Sequence, residues 1–277
     1  MSVSRELAKI YKECRYLYRY GYKRLSTRIQ VDSPPTFIVS SPHSGSSILL
    51  SILGAHSRIY AIPRETNIAL KYEKQKFLKQ LEKFDRMAVG DGKYRWIEKT
   101  PKHIRCIDRI LDWYSEARII IIIRDGRDVA CSIQGRTGSL EEGVKEWMET
   151  NQIGKNYWHH SNVHVLKYED LITDFEETIT AVLNFLSEEY EEGLKNYHKQ
   201  EKKWYSGVIA KPSSTRGDDN HRQHRNWQIN QPLFDGRGRW KKMSKEEVTY
   251  VIDQAGDMLV EFGYIDEADL VNNAVNK

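Results

Sequence analysis

The chain has 277 residues, 39% of them hydrophobic and 30% charged, with a net charge of +4. This length can bury a full core without disulfide or metal staples, and the composition excludes disordered and fibrous classes. The mild basic excess names no partner, and the longest β-branched run, Ile119–Ile123, is far short of a transmembrane span.

In chain order, Leu7, Ile10, Tyr11, Cys14, Leu17, Tyr18 and Leu25 form a helical stripe. This segment has eight Lys/Arg through Arg28 against Glu6 and Glu13. Residues 1–30 are therefore expected to form a basic amphipathic helix, docked on the domain in preference to lying on anionic lipid. Asp32-Ser33-Pro34-Pro35 ends it, and residues 31–277 are expected to form one α/β domain. Thr36–Ser40 reads as a buried strand, Pro42–Ser47 as a turn and Ser47–Ala55 as a helix. Arg95–Glu98 is a short strand and His103–Tyr114 a helix. Arg118–Ile123 is a strand buried on both faces. Val163–Lys167 is a further strand, followed by a helix over Glu169–Leu186. Alternating strands and helices predict a three-layer α/β fold, with a mostly parallel central sheet flanked by helices. Residues 199–245 carry 12 Lys/Arg against 4 Asp/Glu among scattered Pro, Gly and Asn, and are expected to be irregular. Ser244 caps a last helix that runs to Phe262. Cys14, Cys106 and Cys131 form no disulfide frame and no secretory signal is read, so a cytoplasmic location is expected.

Two segments carry anion chemistry. In Pro42-His43-Ser44-Gly45-Ser46-Ser47 a strand turns into a helix N-terminus, where free backbone N–H groups, the helix dipole and serine hydroxyls converge. Gly45 permits close approach of the backbone. The Lys and the spacing of a Walker A loop are missing, which weighs against a nucleotide kinase. The second segment is Arg124-Asp125-Gly126-Arg127-Asp128-Val129-Ala130-Cys131-Ser132, with Arg124 at the carboxyl end of the isoleucine strand. Ligands of open α/β sheets bind at such ends, and a guanidinium there suits a phosphate. Ser132 lies about two helical turns on, within reach of the same anion. Alone, each segment is also consistent with an ordinary turn or a capped helix with surface ion pairs. Together they suit a ligand with two separated phosphates.

The pair resembles the 5′-phosphosulfate loop and the 3′-phosphate site of sulfotransferases that use 3′-phosphoadenosine 5′-phosphosulfate (PAPS). Three further segments resemble the family in order. Glu98-Lys99-Thr100-Pro101-Lys102-His103 is similar to its E-K-T-P-x-H segment. Lys167-Tyr168-Glu169-Asp170-Leu171 is similar to its Y-E-D-L, whose Tyr approaches adenine. Gly236-Arg237-Gly238-Arg239-Trp240-Lys241 is similar to the late loop over the 3′-phosphate. The resemblance covers about Thr36 to Tyr264 and implies a P-loop-like fold. It implies PAPS binding by His43, Ser44, Gly45, Ser46, Ser47, Arg124, Ser132, Tyr168, Arg237, Gly238 and Arg239. The product would be adenosine 3′,5′-bisphosphate (PAP), and no metal is called for.

The sequence also departs from the family. His43 stands where the loop usually has Lys or Arg, and Ile48 where animal cytosolic members have an aromatic residue. Imidazole titrates near pH 6.5 and adjacent phosphate raises it. His43 is thus expected to be protonated with the donor bound, so that His43→Arg flattens the acid side of the pH–turnover profile. The alternative is that His43 only packs and Lys99 supplies the charge. For the general base the resemblance offers Glu65, then Glu98, then His103, and each has a structural reading as an ion-pair or core partner. His159, His160 and His164 lead into a strand, where their spacing does not make a metal site. Trp204, Tyr205 and Trp227 in the basic segment fit a loop over PAPS or an anionic or carbohydrate acceptor better than a nucleic-acid surface. The expected activity is sulfuryl transfer to a hydroxyl of a glycan, glycolipid or small metabolite. The competing readings are a P-loop-like nucleotide kinase and a non-catalytic member that binds PAPS or PAP.

Overall fold

The computed structural model describes Val31, residues 33–268 and Leu270. The basic helix expected over residues 1–30 lies outside the described residues. Five strands form one parallel sheet: β1 (Thr36–Ser40), β2 (Ile59–Ala61), β3 (Arg95–Lys99), β4 (Arg118–Ile123) and β5 (Val163–Lys167), in the order β2-β3-β1-β4-β5. β1 is central, with Thr36 level with Ile97 of β3 and with Arg118 of β4. β2 was not expected from the sequence, being three residues long and sheltered at one edge.

Two-residue alternation distributes the side chains of these strands between two cores. Phe37, Val39, Ile119, Ile121 and Ile123 face one side. Ile38, Ile97, Ile120, Ile122 and Leu166 face the other. A strand apolar at every position is what burial on both faces requires. The first core is closed by α3 (Lys74–Gly90), α4 (Ile107–Trp113), α5 (Gly126–Thr137), α6 (Leu140–Lys155) and α10 (Lys245–Glu261). The second is closed by α1 (Ser46–Leu53), α7 (Tyr168–Thr173) and α8 (Phe175–Leu186).

Several expectations change in detail. The helix predicted from His103 begins as a 3-10 turn, Pro101–Cys106, and becomes α4 only at Ile107. The helix predicted over Glu169–Leu186 is two helices, broken at Asp174, whose φ and ψ are −133° and 52°. The segment 199–245 is not irregular throughout, because it contains α9 (Asp218–Gln228). Short α2 (Ile68–Lys71) follows β2. The cap predicted at Ser244 forms as a full capping box with Glu247, which satisfies two end groups of α10 at once.

The sheet order positions the site. From β1 the chain goes first to β2 and β3 on one side, then crosses to β4 and β5 on the other. The carboxyl ends of β1, β3 and β4 therefore flank a topological switch point, where open α/β sheets bind ligands. The turn Ser41–Gly45, Lys99 and Arg124 all sit at those ends.

Candidate active site

β1 ends at Ser40, which is buried like Ser41 after it, and α1 starts at Ser46. Between them Gly45 adopts φ 93° and ψ 3°, and His43 has φ 65°. The hydroxyls of Ser40, Ser41 and Ser44 are buried and find no hydrogen-bond partner among the described residues. Buried hydroxyls ordinarily have partners. Three orphans around one strand-to-helix turn, with the α1 N-terminus behind them, fit a bound anion. Tyr168 packs directly on Gly45, where an added Cβ would lie 2.6 Å from Tyr168 Cδ2. Gly45→Ala meets both this clash and a left-handed backbone that costs about 1–2 kcal/mol. We expect it to lower the melting temperature and abolish nucleotide binding, checked by thermal denaturation and calorimetric titration.

Arg124 is buried and reaches across this turn. Its guanidinium donates to His43 O (3.1 Å) and to Gly236 O, and lies 4.6 Å from the centroid of the Tyr168 ring. Its Nε is buried without a partner. Ser132 hydrogen-bonds His43 Nδ1 at 3.0 Å, so the turn and the Arg124–Ser132 segment are brought together. Asp128 between them receives Gly238 N–H at 2.9 Å and Trp240 N–H at 3.1 Å, pinning the late glycine loop beside Arg124. Tyr168 Oη donates to Phe234 O at 3.2 Å. In that loop Arg237 is exposed and paired with Asp235, and Arg239 lies over Phe234.

The three candidate bases occupy different environments. Glu98 is fully buried, accepting from Thr66 N–H (3.1 Å), Thr66 Oγ1 (2.8 Å) and Thr100 Oγ1 (2.5 Å), and pairing with His103 Nδ1 at 3.1 Å. Burial alone would push its carboxyl up, but His103 and these hydrogen bonds hold it below the usual range. His103 is also fully buried, and its Nε2 accepts from Ala69 N–H at 3.2 Å. Glu98 and His103 thus fix the segment 66–69 against β3, and neither faces the opening.

Glu65 is 31% exposed and accepts from Lys99 Nζ at 2.6 Å. Burial would push its carboxyl up, but Lys99 and Arg225 outweigh it and hold the pKa down to about 2. Lys99, at the end of β3, is itself buried with its ammonium 5.2 Å from the Tyr205 ring centroid.

Sequence reasoning missed Arg225. It lies on α9 and donates from one guanidinium nitrogen to Glu65 Oε1 at 2.6 Å and to Ser47 Oγ at 3.3 Å. It also stacks 3.9 Å from the centroid of the Tyr205 ring. Asn226 and Asn230 stitch α9 to the chain before it through Tyr205 N, Lys202 N and Lys202 O. His221, also on α9, sits 5.5 Å from the His43 ring. Burial, and then His221, Arg136, Arg124 and Arg225, push His43 down to about 3.

This is an α/β protein with a turn of buried, partnerless serine hydroxyls at its switch point and a carboxylate–lysine pair beside it. The model of the sulfotransferase family matches residues 75–192. The sulfotransferase domain of the Curacin biosynthetic pathway is similar in structure, with a TM-score of 0.51 and 17% identity over 83% of this chain and 99% of that domain. The sulfotransferase domain of the Synechococcus PCC 7002 olefin synthase gives 0.54 and 16% over 84% and 97%. Mouse sulfotransferase SULT7A1, complexed with PAP, gives 0.55 and 14% over 83% and 86%. An uncharacterized protein of Aquifex aeolicus is 24% identical over 216 residues, which is 64% of this chain. This chain spans only 28% of that relative's length. By fold the chain is similar to these sulfotransferases, and its central segment matches the sulfotransferase family model. Among the described residues no helix is long and apolar enough to cross a membrane.

Proposed function

We propose that the protein transfers a sulfuryl group from PAPS to a hydroxyl acceptor. The observation that carries this reading is the trio of partnerless buried hydroxyls, Ser40, Ser41 and Ser44, set between Arg124 and the Glu65–Lys99 pair. The family resemblance and the PAP complex of the mouse enzyme support the choice of nucleotide.

In this reading the turn 41–47 holds the 5′-phosphate through backbone N–H groups and serine hydroxyls. Arg124 and Ser132, with the loop Gly236–Arg239, hold the 3′-phosphate. The donor supplies the sulfuryl group together with a stable leaving phosphate. Glu65 takes the acceptor's proton as the acceptor oxygen bonds to sulfur. Lys99 neutralises the phosphate oxygen as its bond to sulfur breaks. Sulfuryl transfer, like phosphoryl transfer, is an in-line displacement, and these residues stand on its two sides.

Glycans, glycolipids and small hydroxylated metabolites are the acceptor classes considered. The test is incubation with sulfur-labelled PAPS and a panel of hydroxyl acceptors. Label appearing in an acceptor, with PAP formed in equal amount, supports the assignment. ATP turnover without use of PAPS would replace it with a kinase, and PAP binding without any transfer would replace it with a non-catalytic binding protein.

A further inference from the structure

We infer that Arg225 is a catalytic residue of this site, a guanidinium supplied by α9 that binds the sulfuryl group under transfer. The inference rests on the sulfotransferase reading above and adds a residue to it.

The argument is one of position. An in-line displacement places the migrating group between the base, which lies beside the acceptor, and the cradle for the 5′-phosphate. Here the base candidate is Glu65 and the cradle includes Ser47. A single nitrogen of Arg225 bridges the two, at 2.6 Å and 3.3 Å. The guanidinium therefore spans the path that the group must take. It is largely enclosed, with its side chain 17% exposed. Its plane rests on Tyr205, which is held through its own N–H by Asn226, the next residue of α9. A planar fork held in this way suits an oxyanion with spread charge, and enclosure strengthens the interaction.

The same contact affects the base. Lys99 of β3 and Arg225 of α9 both pair with Glu65, and His221 of α9 lies near enough to feel its charge. A carboxylate held by two cations is a poor proton acceptor. Once Arg225 engages the sulfuryl oxygens, part of that hold on Glu65 is released and its basicity rises. Donor binding thereby readies the base.

PAPS and PAP differ by the sulfuryl group alone, so the pair isolates this contact without turnover. Wild type, Arg225→Gln and Arg225→Lys are titrated calorimetrically with each nucleotide in the absence of acceptor, with melting temperatures measured in parallel. We expect Arg225→Gln to bind PAPS about ten- to a hundredfold more weakly while PAP affinity stays within about twofold, and Arg225→Lys to recover part of the loss. Equal loss for both nucleotides, or no loss for either, would overturn the inference. If wild type fails to bind PAP, the sulfotransferase reading falls, and this inference with it.

Discussion

Glu65→Gln is expected to lower sulfuryl transfer by about a hundred- to ten-thousandfold, the usual contribution of a positioned general base. PAP affinity should change far less, because Glu65 pairs with Lys99 and Arg225 and touches neither the turn 41–47 nor the Arg124–Ser132 site directly. The amide keeps the shape of the carboxylate and removes its proton-accepting charge. Glu98→Gln is the control. Glu98 is sealed with His103 and Thr100, so its loss should appear first in the melting temperature. A group left buried without its partner costs about 1–3 kcal/mol. Single-turnover kinetics with labelled PAPS, read beside thermal melts, separates the two. The sign with pH also follows. Lys99 and Arg225 hold the Glu65 carboxyl down to about 2, below its ordinary value of 4.5. Its contribution to stability is therefore complete above pH 4.5 and is lost as pH falls toward 2.

Arg124→Ala is expected to weaken PAP binding by at least about a hundredfold, since two charge-assisted hydrogen bonds of about 1.5–3 kcal/mol each are lost. Binding of 5′-AMP, which lacks the 3′-phosphate, should fall far less. Arg124 also ties His43 O to Gly236 O, so some of the loss reflects a looser late loop. Arg124→Lys retains charge but not the planar fork, and should fall between the two. Calorimetric titration of the three proteins with both nucleotides checks the ordering. Equal losses for PAP and 5′-AMP would reassign Arg124 to holding the fold of the turn.

Much of this fold can be read directly from the chain. β1 and β4 are short, largely apolar runs, β4 ended by the charge of Arg124, as strands buried on both faces should be, and β5 at the sheet edge is only partly buried. The turn from β1 into α1 is legible because Ser, Gly and a following apolar helix are the residues its geometry demands. α3 was also within reach of the sequence. Phe77, Leu81, Phe84 and Ala88 form a helical stripe, but it is diluted by lysines, glutamines and Glu82. α9 was not. Its residues, DDNHRQHRNWQ, carry no apolar stripe, and what fastens it is polar: Asn226 and Asn230 to the preceding chain, Arg225 to Glu65 and Ser47. Periodicity detects burial of apolar faces and is blind to such tethers. The choice among Glu65, Glu98 and His103 was hidden for a related reason. All three lie near Lys99 in sequence or in space, and only the tertiary arrangement buries the Glu98–His103 pair and turns Glu65 toward the opening.

The central claim is that two separated phosphates are bound at the carboxyl ends of β1 and β4. Its most direct test is calorimetric titration of the wild-type protein with PAP, 5′-AMP and ATP in parallel. We predict that PAP binds at least about a hundredfold more tightly than 5′-AMP, from the charge-assisted contacts of Arg124 with the 3′-phosphate, and more tightly than ATP. ATP binding as well as or better than PAP, or no distinction between PAP and 5′-AMP, would contradict it.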